Sequence, residues 1–395
     1  MNTLRAVFEA GSDGEFTSFS VEQHAPPAHP TLRSHRVAVG LYDTRDGRLG
    51  LRERVELDVV GHRTPVDALV GKAAADLVLV NDGDLAYAKI RLDPRSLATV
   101  TDRLGTLGDP LARALCWAAA WDMLRDAELP ARRYLELVLV NLGGEDEISV
   151  VTGLLRNAEA AAVVYGDPAN REPARRRLAE HAWAAMDGAK PGSDTQLAFA
   201  RAFAAAARLE DHLSLVAALL DGERSVEGLE IDTELRWHFL RCLAAAGVVG
   251  EEGIAAEEQR DPTDAGHRHA AAARASRPDG AAKAQAWQDL VEGDLPLATM
   301  RAIMGGFRQP DQELVLEPWV EPYFAALQPV WERRGPDVGM SFTEMLYPVG
   351  DGAVQLTDAY LERHSPAPPA RRLLLEGRDQ ALRVARARAC DSAAG

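Results

Sequence analysis

The sequence predicts a mainly α protein: a small all-β sandwich over residues 1–92, followed by a large curved α–α superhelical domain over residues 93–395. Three observations carry this. Up to about residue 92, apolar side chains recur at every second position, the period of a half-buried strand. Beyond it they recur at three and four, the period of an amphipathic helix. The breakers between the helical runs, among them GDP, GDPAN, KPGSD, RPDG and EGDLP, are short, so neighbouring helices are expected to pack antiparallel.

The strands come in order. EFTSFSVEQ is a short run of the alternating kind. HRVAVGLY (35–42) places Val37, Val39 and Leu41 on one face. RLGLRERVELDVV (48–60) places Leu49, Leu51, Val55, Leu57 and Val59 on one face, against Arg48, Arg52, Arg54, Glu56 and Asp58. DLVLV and LAYAKIRL follow, with GSDG and DTRDG as turns and the proline-rich HAPPAHP (24–30) as a loop. Short antiparallel strands in this number suggest a sandwich of about seven strands.

NDGDLAYAKIRLD (81–93) ends the β region. An EF-hand loop needs oxygen ligands at alternating positions and a closing Glu. Asp82 and Asp84 fit, but Ala86 occupies the next alternate position and no Glu closes the loop. The stretch therefore reads as a turn. It feeds a last strand with Ala86, Ala88, Ile90 and Leu92 on one face and Tyr87, Lys89 and Arg91 on the other. Asp93-Pro94 then suits a helix start, with Asp as cap and Pro at the first helical position.

The helical series opens with DPLARALCWAAAWDMLRDAEL (109–129), where Leu111, Leu115, Ala118/Ala119 and Met123 share a face. LPARRYLELVLVNL, EISVVTGLLRNAEAAAVVY, REPARRRLAEHAWAAM, DTQLAFARAFAAAAR and EDHLSLVAALLDG continue it. PDQELVLEPWVEPYFAALQPVW (310–331) carries a broad apolar stripe from Leu316 to Trp331, and its prolines 318, 322 and 329 are expected to bend or interrupt it. ARRLLLEGRDQALRVARARA is the last helix, with a basic end. Roughly fifteen such helices can bury their apolar faces by stacking neighbour on neighbour.

With 44 Lys and Arg against 60 Asp and Glu, the net charge is −16, which disfavours nucleic acid and anionic membranes as partners. Neither a signal peptide nor an 18-residue apolar run is evident. Cys116, Cys242 and Cys390 are odd in number and far apart, which speaks for a reducing compartment and no disulfide framework. The expected location is the cytoplasm. Cys116, within ALCWAAAW, reads as a small buried hydrophobe.

The sequence contains no H-E-x-x-H, G-x-S-x-G, G-x-G-x-x-G or Walker lysine loop. His267 and His269 lie two apart in a helical run and so face different ways, a poor chelate. Trp237-His238 reads as a packed Trp beside a polar neighbour, and Gly305-Gly306 as a helix end. The clusters Arg175–Arg177 and Arg333/Arg334 read as solvated faces, any one of which could instead enter a cavity and meet a peptide carboxylate. No catalytic, cofactor-binding or metal residue is assigned.

Several segments carry a resemblance: LVLVNDGDLAYAKIRLDPRSLATV (77–100), RALCWAAAWDMLRDAEL (113–129), YLELVLVNL, LRWHFLRCLAAAG (235–247), RHAAAARASRPDGAAKAQAWQDL (268–290) and GGFRQPDQELVLEPWVEPYFAAL (305–327). Together they resemble the C-terminal half of the aminopeptidase N family of zinc exopeptidases, in its actinobacterial form. The resemblance covers nearly the whole chain. It implies a small β-sandwich and a helical bowl that restricts access and confines peptides, without the thermolysin-like catalytic domain that holds the family's zinc. The chain would then be a fragment, a split-gene product or a cloned domain, inactive alone. A separate catalytic half and peptide substrates are its expected partners, and no cofactor is expected in the chain itself. Two alternatives stand beside this: a component of an active zinc aminopeptidase working with such a half, and a helical-repeat scaffold that binds proteins.

Overall fold

The alternating N-terminal pattern becomes seven strands: β1 (Thr3–Ala10), β2 (Phe16–His24), β3 (His35–Arg45), β4 (Arg48–Val59), β5 (Arg63–Pro65), β6 (Leu77–Val80) and β7 (Lys89–Arg91). These belong to a computed structural model that describes residues 1–348, 350 and 352–394. The chain is mainly helical, with the sheets confined to its N-terminal part. It divides into two compact units, Met1–Ala161 with Ala387–Gly395, and Ala162–Arg386.

In the first unit the strands form a four-stranded sheet, β5-β2-β1-β7, and a three-stranded sheet, β4-β3-β6. Leu4, Phe19, Val21, Val37 and Val39 are buried. All pairings between named strands are antiparallel except one, since β7 runs parallel to β1. Two departures from simple alternation have physical causes. Arg52 is an extra residue in β4, because Leu41 pairs with Glu53 while Tyr42 pairs with Leu51. This bulge moves Leu49 and Leu51 to the face opposite Val55 and Leu57, and Leu51 is left 52 % exposed. Residues Val37 to Tyr42 and all of β6 are buried on both faces, with the helix Pro94–Arg103 packed on β6.

The turn before β7 is set by its own side chains. Asn81, Gly83 and Asp84 adopt φ of 62°, 79° and 54°, the left-handed region. The Asn81 amide accepts from Ala86 N at 2.9 Å and donates to Ala86 O at 2.8 Å. Asp82 is buried, receiving the Tyr42 hydroxyl at 2.7 Å and facing Arg54 Nε at 3.2 Å. Only Lys89–Arg91 of the predicted last strand pairs. Arg91 is buried because Glu128 accepts from its Nε at 2.7 Å and Asp126 from its Nη2 at 2.5 Å. Asp93 then caps the helix Pro94–Arg103, accepting from Arg95 N at 3.0 Å and Ser96 N at 3.1 Å.

The helices Pro110–Arg125, Ala131–Asn141 and Ile148–Ala160 complete most of this unit. Pro130, at the cap of Ala131–Asn141, offers no side-chain acceptor. That role falls to Asp391, from the end of the C-terminal helix Pro368–Ala393. Its carboxylate accepts from Arg132 N at 2.9 Å and Arg132 Nε at 3.2 Å, across 259 residues of sequence. Asp391→Ala is expected to destabilise this unit by about 2–3 kcal/mol, from a lost cap and a broken buried pair. The readout is amide hydrogen exchange of residues 131–141, which should speed up; unchanged exchange would mean the contact contributes nothing.

In the second unit, the helices Asp194–Ala206, Thr233–Ala245, Asp264–Ser276 and Leu297–Phe307 pack each on the next, as every second member of a row. The intervening helices Glu210–Asp221, Glu251–Arg260 and Gly280–Val291 pack beside them, the nearest-neighbour arrangement of a helical repeat. One crossing is unusually close: a Cβ on Gly306 would lie 2.1 Å from Ala272 O. The predicted 310–331 helix breaks at Pro318 into Glu313–Leu316, a single 3₁₀ turn Glu317–Trp319, and Val320–Arg334. Pro322 falls in the first turn of Val320–Arg334, where no intrahelical donor is needed, and Pro329 is tolerated inside it. Among the described residues no helix is long and apolar enough to cross a membrane.

Candidate functional site

Helix ends in the second unit bring together residues that local sequence does not connect. The segment Gln309–Leu316 is fastened by ion pairs. Asp311 Oδ2 accepts from Arg175 Nη2 at 3.0 Å and Arg208 Nε at 2.9 Å, and Glu313 from Arg171 Nη2 at 2.6 Å. The Gln312 amide donates to Ala245 O at 3.0 Å and Ser276 O at 2.8 Å, buried carbonyls at two helix ends.

This fastening frames a shallow hollow lined by Trp287, Phe307, Arg308, Trp319, Tyr347 and neighbouring aliphatics. The rings of Trp287 and Trp319 are 5.3 Å apart, and Phe307 lies 6.0 Å from each. Arg308, at the C-cap of helix Leu297–Phe307, is reached by solvent. Protein surrounds its head group closely enough that desolvation lowers its pKa from the ordinary value, opposed by Tyr323 and Tyr347. No carboxylate among the described residues is paired with it. An exposed guanidinium at an aromatic-lined hollow, with no paired acid among the described residues, can meet an anionic group.

A second pocket of ≈ 380 Å³ lies between Val320–Arg334, Gly352–Arg363 and Pro368–Ala393, lined by Leu327, Trp331, Glu332, Tyr360, His364 and Leu374, among others. His364 stacks on Tyr360 with centroids 4.5 Å apart. The volume accommodates an apolar side chain, with Gln328, Glu332, His364 and Ser365 among its polar members.

The histidines of DAGHRHAAAARASRPD do not converge. His267 Nδ1 lies 2.8 Å from Glu258 Oε1, whereas His269 stacks on Trp237 and faces Glu234 at 3.4 Å. Among the described residues no three His, Cys, Asp or Glu side chains form a group that could hold a metal. The residues present therefore do not fit a zinc centre, and no metal-dependent step is derived from them.

The arginine clusters divide. Arg176, Arg177 and Arg333 are exposed, as expected of solvated faces. Arg175 and Arg334 are not. Arg175 is buried against Asp311, and Arg334 donates to the carbonyls of Gly293 and Leu295, the latter at 2.6 Å. Both hold loops in place. Arg308 escaped the sequence reading because the rings around it come from four separate segments.

Residues 77–383 match the ERAP1-like C-terminal domain. The chain belongs to that family. The match begins at β6 and takes in almost every helix, so the hollow and the pocket both lie inside the family domain. Along its full length the chain is 49% identical, over 405 aligned residues, to aminopeptidase N of Streptomyces lividans, of which it spans 47%. It thus corresponds to about half the length of that relative. Among solved structures it is similar to aminopeptidase A of Legionella pneumophila, determined in complex with aspartic acid. That likeness has a TM-score of 0.52 at 11% identity, covering 96% of this chain and 49% of the other, and shows the shared fold. The ERAP1-like C-terminal family and the aminopeptidase relatives agree with the resemblance seen in the sequence to the C-terminal half of an aminopeptidase N.

Proposed function

We propose that the chain is the non-catalytic C-terminal part of an aminopeptidase N-type metallopeptidase, whose helices restrict access to a peptide-binding space and confine the substrate. The observation that carries this reading is the 49% identity along the whole chain to a protein named aminopeptidase N, confined to 47% of that protein. Zinc chemistry belongs, on this reading, to a separate catalytic half, which is the chain's main partner. Arg308 and the rings of Trp287, Phe307 and Trp319 support a role in peptide binding. Guanidinium and aromatic surface together match the carboxylate and the apolar side chain at one end of a peptide.

The purified chain, supplied with zinc and an aminoacyl chromogenic substrate, is expected to show no turnover. Zinc-dependent hydrolysis by a homogeneous preparation would overturn the reading. Binding is tested separately with fluorescent peptides ending in a free carboxylate or an amide. The free acid is expected to bind more tightly, and Arg308→Ala to weaken it about tenfold, the loss of one charge-assisted hydrogen bond. Equal affinity for acid and amide would remove Arg308 from the proposal.

A further inference from the structure

On helix Thr233–Ala245, His238 and Cys242 stand four residues apart and so share a face. Cys242 Sγ lies 3.8 Å from His238 Nε2. The same Nε2 lies 2.9 Å from Arg201 O. A carbonyl oxygen only accepts, so Nε2 carries a hydrogen. That fixes the tautomer. The N–H is shared between the Arg201 carbonyl and the sulfur, the sulfur is the acceptor, and Nδ1 is left to take a second proton. An N–H directed at the sulfur stabilises a thiolate there, and Nδ1 can take the proton the thiol gives up.

The arginines around the pair favour a negative sulfur, although Arg241 also opposes charge on His238. Arg241 is the adjacent residue, and Arg208 comes from the segment after helix Asp194–Ala206. Arg208 is held by Asp311 at 2.9 Å and by the carbonyl of Ala207 at 2.6 Å. Cys242 and His238 are both half-buried, not sealed in the core as Cys116 is. The other two cysteines lack such a setting. Cys116 is fully buried, with its thiol pushed up to about 12 by desolvation and by Asp82. Cys390 is raised by burial and by the neighbouring Asp391.

We propose that Cys242 is a reactive thiolate site, open to covalent modification by electrophiles and peroxides, with His238 as the residue that positions and charges it. Burial alone would raise the Cys242 pKa, yet His238, Arg241 and Arg208 bring it below the ordinary value. Burial would likewise lower that of His238, but Cys242 and the Arg201 carbonyl raise it. With a peroxide as oxidant, the sulfur lone pair attacks one peroxide oxygen and the O–O bond breaks. The leaving hydroxide takes a proton from the His238 imidazolium, giving water and a sulfenic acid at Cys242.

The test uses the intact native chain. Limiting iodoacetamide is added at a series of pH values, and each cysteine is quantified by peptide mass mapping. At pH 7, Cys242 is expected to react at least about tenfold faster than Cys390, and faster still than Cys116. Its rate should reach half-maximum below the free-cysteine pKa of about 8.5. His238→Gln keeps an N–H donor but not the charge, and should move that midpoint upward and slow alkylation at pH 7 about fivefold. Peroxide followed by a sulfenic-acid trap should label Cys242 and leave Cys242→Ser unlabelled. A wild-type midpoint at or above about 8.5, or Cys242 no faster than Cys390, would overturn the proposal, and neither readout depends on the variants folding.

Discussion

Gly306→Ala is expected to destabilise the second unit by about 2–3 kcal/mol, while Gly305→Ala leaves it unchanged or stabilises it by up to about 1 kcal/mol. The two glycines are neighbours in the last turn of helix Leu297–Phe307, and both substitutions gain the same helix propensity. What separates them is the crossing with helix Asp264–Ser276. A methyl on Gly306 would lie 2.1 Å from Ala272 O, a backbone atom that can move only if the helix moves. A methyl on Gly305 would meet nothing nearer than Met345 Cε at 3.9 Å. Hydrogen exchange of both helices, with chemical denaturation, reads the difference. Equal behaviour of the two variants would show that the crossing yields without cost.

Lys283→Met should change how stability depends on pH. Lys283 is fully buried, and its ammonium donates to Ala275 O at 2.7 Å and Phe307 O at 2.9 Å, carbonyls at the ends of two helices. It also sits over the Phe307 ring, 5.4 Å from the centroid. Methionine fills the space but leaves both carbonyls without this donor, an expected loss of about 3 kcal/mol at pH 9. Desolvation brings the lysine pKa down to about 7, with Asp279 and Asp311 opposing. Between that value and the unfolded pKa of about 10.4, the unfolded chain holds a proton that the folded chain lacks. Stability of the wild type therefore rises with pH through this window, by up to about 1.4 kcal/mol per unit from this group. Below about pH 7 both states are protonated and the dependence ends. Denaturation at pH 7, 8 and 9 should thus show the wild-type advantage widening upward. Parallel curves for the two proteins would mean that the carbonyls keep the ammonium charged throughout.

The fold was legible where the physics is local. The Asp93-Pro94 helix start, the Asn81 to Asp84 turn and the two periodicities follow from capping, turn chemistry and side-chain direction. β1 went unread as a strand, since TLRAVFEA mixes charge into a short run and gains its place by pairing with both β2 and β7. The Arg52 bulge was hidden for a similar reason: the alternation from Leu49 to Val59 lapses only at Glu53, and the extra residue shows only against the partner strand. The candidate site was less legible still. Trp287, Phe307, Trp319 and Tyr347 line the hollow with Arg308 only after four separate segments have packed. The spacing of His238 and Cys242 was visible in LRWHFLRCLAAAG, but the Arg201 carbonyl that fixes the imidazole was not.

The dependence of helix Ala131–Asn141 on Asp391 has a consequence for biosynthesis. During translation, the residue that closes the first unit emerges 259 positions after its partner Arg132, once all of Ala162–Arg386 has been made. The earlier unit must wait in an unfinished state while the later one is free to fold. A nascent chain halted before residue 391 would carry a frayed, protease-sensitive helix start at Ala131.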